Sequence, residues 1–220
     1  MIGVVFRLIP ALALLMLLAS CTPQCNDIEV DPNNGNPAFC DKPVIYLYPK
    51  EKTDITIELN FDGELNFTYP EYNNQWKITA YPDGTLVDKQ GKKYSYLFWD
   101  GEANTTFSID EGFCVSKSNT VEFLEDKLNK LGLSDKEIND FIVYWGPQLT
   151  ESPYNLIKFE TTSYTDIAKM DIAPNPDSLI RVFMVWKPCS EYVDIPEQNL
   201  GETPLRNGYT IVEWGGSKIG

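Results

Sequence analysis

Two hydrophobic periods divide this chain, and they limit its fold more than its composition does. From residue 42 to 109, and again from 156 to 214, apolar residues come in short runs separated by Asp-Gly, Asn-Gly and Tyr-Pro pairs. Only between 119 and 146 does the spacing change to that of a helix. Lys42-Pro-Val-Ile-Tyr-Leu-Tyr-Pro49 is a dense β-branched and aromatic run, and residues 53–61 alternate cleanly, with Ile55, Ile57, Leu59 and Phe61 on one face. Further strands are predicted over 64–69, 75–81, 85–88, 93–99, 105–109, 156–161, 179–187 and 209–214. The run Leu179-Ile-Arg-Val-Phe-Met-Val-Trp186 is apolar enough to be central. Proline cannot donate to a ladder, so Tyr-Pro at 48, 69 and 81 marks strand ends.

The register around Asp62-Gly63 can be argued from the residues. A two-residue loop would set Leu59 against Asn66, apolar against polar. A three-residue loop sets Leu59 against Leu65 and Ile57 against Phe67. An odd-length hairpin with a bulge is therefore expected, unless the two strands lie in different sheets.

In the helical stretch Asn119 is placed to cap, and Val121, Leu124, Leu128 and Leu131 form a stripe ending at Gly132. Ser134 and Glu137 have capping-box spacing, Ile138, Phe141, Ile142 and Trp145 form a second stripe, and Gly146-Pro147 is expected to stop it. The predicted class is α+β and β-rich. Two packed antiparallel sheets form a sandwich-like body, with one helical hairpin inserted at about residues 119–146.

The first residues carry one arginine, Arg7, then an unbroken apolar run from Leu8 to Ala19, which reads as an export signal. As a helix, 12 such residues span about 18 Å, against about 30 Å of bilayer hydrocarbon, so a spanning segment is the weaker reading. Leu18-Ala19-Ser20-Cys21 resembles the lipobox of bacterial lipoproteins. That resemblance implies a diacylglyceryl and palmitoyl-type anchor on Cys21 and cleavage before it; the alternative is an ordinary secretory signal cut near Ala19. The implied division is a signal peptide at 1–20, a lipidated Cys21 and Pro/Asn-rich tether to 41, and a single domain at 42–220. The protein would then sit in the cell envelope, on the outer membrane of a Gram-negative cell or the outer face of a Gram-positive plasma membrane. After cleavage 17 basic side chains face 32 acidic ones, net −15. Such a charge repels nucleic acid and anionic lipid headgroups, and leaves lipid on Cys21 as the contact with the membrane.

Four further cysteines remain, Cys25, Cys40, Cys114 and Cys189. An even number in an exported domain favours disulfides, and of three connectivities Cys25–Cys40 with Cys114–Cys189 is preferred. The chain has no histidine. That excludes His-based triads, Cys–His nucleophiles and His-containing zinc or iron sites. Phosphate-binding and dinucleotide-binding glycine motifs are absent too. Asp31-Pro-Asn-Asn-Gly-Asn36 has its glycine one place early for a calcium loop, so neither a metal nor a cofactor is expected.

Four strings stand out: the run at 42–49, Tyr94-Ser-Tyr-Leu-Phe-Trp-Asp-Gly-Glu102, Asp140-Phe-Ile-Val-Tyr-Trp-Gly-Pro147 and Tyr209-Thr-Ile-Val-Glu-Trp-Gly-Gly216. Together they resemble a family of uncharacterised microbial secreted proteins and lipoproteins, which implies one intact domain and no particular activity. Read physically, Trp99, Asp100, Glu102, Glu213 and Trp214 place carboxylates and indoles beside glycine at strand ends, the groups used to hold a sugar ring. They are the candidate ligand-binding residues, and Glu102 with Glu213 a candidate glycosidase pair. The alternative is that these tryptophans close the core and their acids cap turns or meet an arginine such as Arg181 or Arg206. Three functions follow. The leading one is a non-catalytic module binding a glycan or an envelope protein. The others are a carboxylate-based hydrolase of envelope polysaccharide and a passive structural lipoprotein. An exposed aromatic patch favours the first, a cleft with two carboxylates the second, and burial of every tryptophan the third.

Overall fold

The computed structural model describes residues 38–160 and 162–220; the export signal, Cys21, Cys25 and the calcium-like string lie outside them. Among the described residues twelve strands form two packed sheets. The larger has the order β3 (Gly63–Tyr69), β7 (Leu97–Ala103), β1 (Ala38–Tyr48), β12 (Thr210–Lys218), β11 (Ser178–Cys189), β9 (Tyr154–Glu160), β8 (Phe113–Ser116). The smaller runs β10 (Ala168–Ala173), β2 (Thr53–Phe61), β4 (Trp76–Ala80), β5 (Leu86–Val87), β6 (Lys93–Tyr94). Three helices accompany them: α1 (Thr120–Lys130), α2 (Asp135–Leu149) and the short α3 (Thr162–Ile167).

The dense apolar runs have a direct cause. On β1, Ile45 and Leu47 face the core between the sheets, while Val44 and Tyr46 face a second core beneath α1 and α2. β11 and β12 are divided the same way, with Phe183, Val185 and Ile211 inward and Met184, Trp186, Val212 and Trp214 under the helices. A strand covered on both faces has no polar side to show, so its sequence loses the alternation seen in β2. In the helices, Leu124, Leu128, Phe141 and Trp145 are the buried stripe. Gly132, at φ +88°, ends α1 in the left-handed region. The backbone N–H of Ser134 donates to Glu137 at 2.7 Å, half of a capping box. The Glu137 carboxylate is fully buried and takes a two-pronged grip from Arg206, at 2.8 and 3.0 Å, which ties the segment before β12 to α2.

Several expectations are corrected. The larger sheet is mixed, since β11 and β12 pair in parallel over nine residues, Ser178 with Thr210 through Trp186 with Lys218. Residues 190–209 return the chain between them, a length a parallel pair requires. β2 and β3 are not a hairpin but lie in different sheets, the exception allowed for above. The chain turns the corner at Asp62, and Gly63 is needed there because a Cβ would meet the Glu102 carbonyl oxygen at 2.1 Å. Asp100-Gly101 is not a turn but the middle of β7, where Gly101 lets Glu64 of β3 approach. Residues 105–109 form no strand, and β8 and β10 had not been expected. Pro147 sits inside the last turn of α2, which ends at Leu149. Strand β1 begins at Ala38, four residues before the anticipated start, and Cys40 is already in the core.

The Cys114–Cys189 bridge is not formed; both are free thiols, and Cys40 has no bridge among the described residues. Cys114 on β8 and Cys189 on β11 pair with opposite edges of β9, at Leu156 and Tyr154. One strand between them sets their Cα atoms about 9 Å or more apart, beyond disulfide reach. Cys25, the expected partner of Cys40, lies outside the described residues.

Candidate functional site

The five residues singled out from the sequence do not converge. Trp99 and Glu213 point into the space between the sheets, both fully buried. There the Trp99 indole N–H donates to Glu213 Oε1 at 3.1 Å, and Arg181 Nε meets Oε2 at 2.6 Å. Tyr164 lies against the same group, with the Arg181 guanidinium 4.7 Å from its ring centroid. Trp214, one residue on, faces the other way and packs edge-on to Phe141 at 5.2 Å under α2. Glu102 is exposed, opposite Glu64 of β3. A Glu102–Glu213 pair does not exist, because one carboxylate is in solvent and the other is sealed against Arg181. All five tryptophans, at 76, 99, 145, 186 and 214, are 0–2% exposed and offer no ring face to a ligand.

Asp100 alone among the five reaches a surface with chemistry. Cross-strand pairing of β3 with β7 sets Phe67 opposite Asp100 and Tyr69 opposite Phe98, so these four side chains share the helix-side face of the sheet. The helices do not cover this end: Phe67 is 57% and Tyr69 45% exposed. The Phe67 and Phe98 rings lie 5.9 Å apart, and the Tyr69 ring meets Tyr94 of β6 edge-on at 5.4 Å. β3 and β6 are outermost strands of their respective sheets, so Tyr69 and Tyr94 bridge the open side of the sandwich. A groove of 580 Å³ runs there along residues 65–72 and is closed by Lys92 and Tyr94. Lys92 Nζ is held over both tyrosines, 4.9 and 5.3 Å from their ring centroids.

The inner border of this face is built on an irregularity of β1. Its pairing with both neighbours slips between residues 40 and 44, and Lys42 has a left-handed backbone, φ +60°, unusual for a non-glycine residue. The bulge aims Lys42 Nζ at the rings of Phe98 and Tyr144, at 5.3 and 5.0 Å, and sets Asp41 to accept a hydrogen bond from the Tyr144 hydroxyl at 2.7 Å. Burial holds the Asp41 carboxyl above the usual carboxylate range, against the Tyr144 bond and Lys42, which pull it down. Asp100 is raised as well, first by burial and then by the Asp41 charge, and its Oδ1 has no partner among the described residues. Aromatic rings, two half-buried carboxyls and an ammonium group therefore share one face. Of this, sequence reasoning had Asp100; it missed Phe67, Tyr69 and Phe98 as a surface because only the pairing of strands 30 residues apart brings them together.

Among curated proteins, an uncharacterized protein in the bglA 3' region of Butyrivibrio fibrisolvens is similar, 45% identical over 64 residues. The match takes in 28% of this chain and 66% of that protein, just under two thirds of its length. No family model and no solved structure matches the chain.

Proposed function

We propose that this protein is a lipid-anchored module of the cell envelope that binds glycan on the aromatic face of β3 and β7. The observation that carries the reading is the row of exposed rings, Phe67 and Tyr69, set beside a groove of 580 Å³ at the open side of the sandwich. A pyranose ring presents a face of C–H bonds that packs on an aromatic ring and a rim of hydroxyls that needs polar partners. Asn66, Thr68, Glu71 and Lys92 line the groove between the rings and supply them. The lipobox-like Leu18-Ala19-Ser20-Cys21 supports the anchor, in which lipid on Cys21 holds the domain at the membrane. Helices α1 and α2, read as one inserted hairpin, cover the same face of the sheet and leave the aromatic row open at its β3 end. The test is binding of glycan oligomers to the full chain by calorimetry. Tyr69→Ala and Phe67→Ala should each weaken it by up to about tenfold, the scale of one aromatic contact, without unfolding. Binding untouched by both substitutions would contradict the reading.

A second reading has its own support. Asp41 and Asp100 interact electrostatically, and both are held above the ordinary carboxylate range. A raised carboxyl beside another is what a glycosidase needs for a proton donor and its partner. The full chain releasing reducing ends from a glycan it binds, lost in Asp100→Asn and in Asp41→Asn, would make the module a hydrolase. A passive structural role draws on the burial of all five tryptophans. It is the outcome if no glycan binds.

A further inference from the structure

The groove does not end at Tyr94. Pro70, Glu71 and Tyr94 also line a second hollow of 590 Å³, set between β4 and the turn joining β5 to β6. Its own rim carries Lys77 and Lys89 against Glu71 and Asp88, and Lys92 stands on the neighbouring groove. The two hollows are lined by Lys77, Lys89 and Lys92 against Glu71 and Asp88, a surplus of one positive charge in a chain of net −14. Asp88 is already engaged, because its carboxylate accepts bonds from the backbone N–H groups of Gln90 and Lys92 at 2.9 Å and from the Tyr94 hydroxyl at 2.8 Å. The three lysines make no ion pair among the described residues, whereas Lys50, Lys127, Lys158, Arg181 and Arg206 all do. Lys92 is positioned as well as free, since its ammonium group rests on the Tyr69 and Tyr94 rings at the wall between the hollows.

We propose that the second hollow receives an anionic group, carboxylate or phosphate, carried by the glycan whose ring packs in the first. This rests on the glycan reading above and narrows it to acidic polymers. An anion here is drawn to a lysine-bearing rim on an acidic domain, so the charge also sets the polymer's direction across the groove.

The test titrates the full chain with oligogalacturonate, its fully methyl-esterified counterpart and a glycerol-phosphate oligomer. The acid should bind about tenfold more tightly than the ester at low salt, and the gap should close near 0.5 M salt, where the screening length falls to about 4 Å. Lys77→Gln with Lys89→Gln, both outside the first groove, should close the gap at low salt without changing affinity for the ester; Lys117→Gln, outside both hollows, should change neither. The phosphate oligomer distinguishes the two anions: tight, lysine-dependent binding assigns phosphate, and binding of the uronate alone assigns carboxylate. Ester and acid bound equally, with Tyr69→Ala weakening both, would overturn the anion site and leave the glycan reading standing. Binding of none of the three would remove the inference together with the reading beneath it.

Discussion

Trp99 donates its indole N–H to Glu213 at 3.1 Å in the sealed space between the two sheets. With Arg181 on the other carboxylate oxygen, this makes an ionic cluster in an apolar core, and its consequence is for stability. Removing one member of a buried pair strands its partner's charge, which costs about 3–5 kcal/mol, whereas replacing both by apolar residues is often neutral. Glu213→Ala should therefore lower the urea midpoint severely, and Glu213→Leu with Arg181→Met should recover most of the loss. A Glu213→Ala protein of unchanged stability would contradict this placement.

Gly63 and Gly101 are where β3 and β7 touch backbone to backbone. A Cβ at Gly63 would lie 2.1 Å from the Glu102 carbonyl oxygen, and one at Gly101 2.4 Å from that of Glu64. Each alanine substitution should cost about 1–3 kcal/mol or more, because backbone must move to admit it. Gly91, with nothing within 4 Å of its would-be Cβ, is the contrast in space, although its φ of +84° still favours glycine.

The cysteines should react in a fixed order. Cys40 is fully buried beside Glu213, and burial pushes its thiol up to about 12, so little thiolate forms at neutral pH. Cys114 and Cys189 are half-buried. Under native conditions a thiol reagent should modify those two and spare Cys40, which should react in urea. If Cys40 reacts in urea only after reduction, a bridge to Cys25 exists.

The pH dependence of stability should carry the mark of Asp100. Its native pKa lies above the unfolded value, raised first by burial and then by Asp41, so the native state binds the extra proton in the interval between them. The free energy of unfolding therefore falls as pH rises through that interval, beginning near the unfolded value of about 4. Asp100→Asn removes the ionisation. It should melt higher than the parent at pH 7 and lose the advantage below about pH 4. An advantage that persists at low pH would mean the effect is packing and not charge.

These residues also show what the amino-acid sequence could tell. The pattern at 42–49 reveals that β1 is covered on both faces, because Val44 and Tyr46 are as apolar as Ile45 and Leu47. Alternation in β2 reveals which of its sides is apolar, but in β3 it misleads: Leu65, Phe67 and Tyr69 alternate as one face, while a bulge between Leu65 and Phe67 turns Leu65 to the core and the two rings to the surface. Neither pattern shows that the strands belong to different sheets; a pleat has two faces and names no partner. The same gap hid the site. Trp99 and Phe98 are neighbours of similar hydrophobicity, yet one seals the core and the other borders the surface row, a choice made by the packing of α2 and β3. The bulge at Lys42 has a local mark in Pro43, which cannot donate to either neighbour where β1 pairs with β7 and β12 at once.

Sugar binding on the face formed by β3 and β7 is the central claim. The direct measurement is the affinity of the full chain for a panel of glycan oligomers, repeated with Tyr69→Ala and Phe67→Ala after each is shown to unfold at the parent's urea midpoint. Binding should be saturable, and both substitutions should weaken it by up to about tenfold. Binding that survives both, or no binding by the intact protein, would contradict the claim.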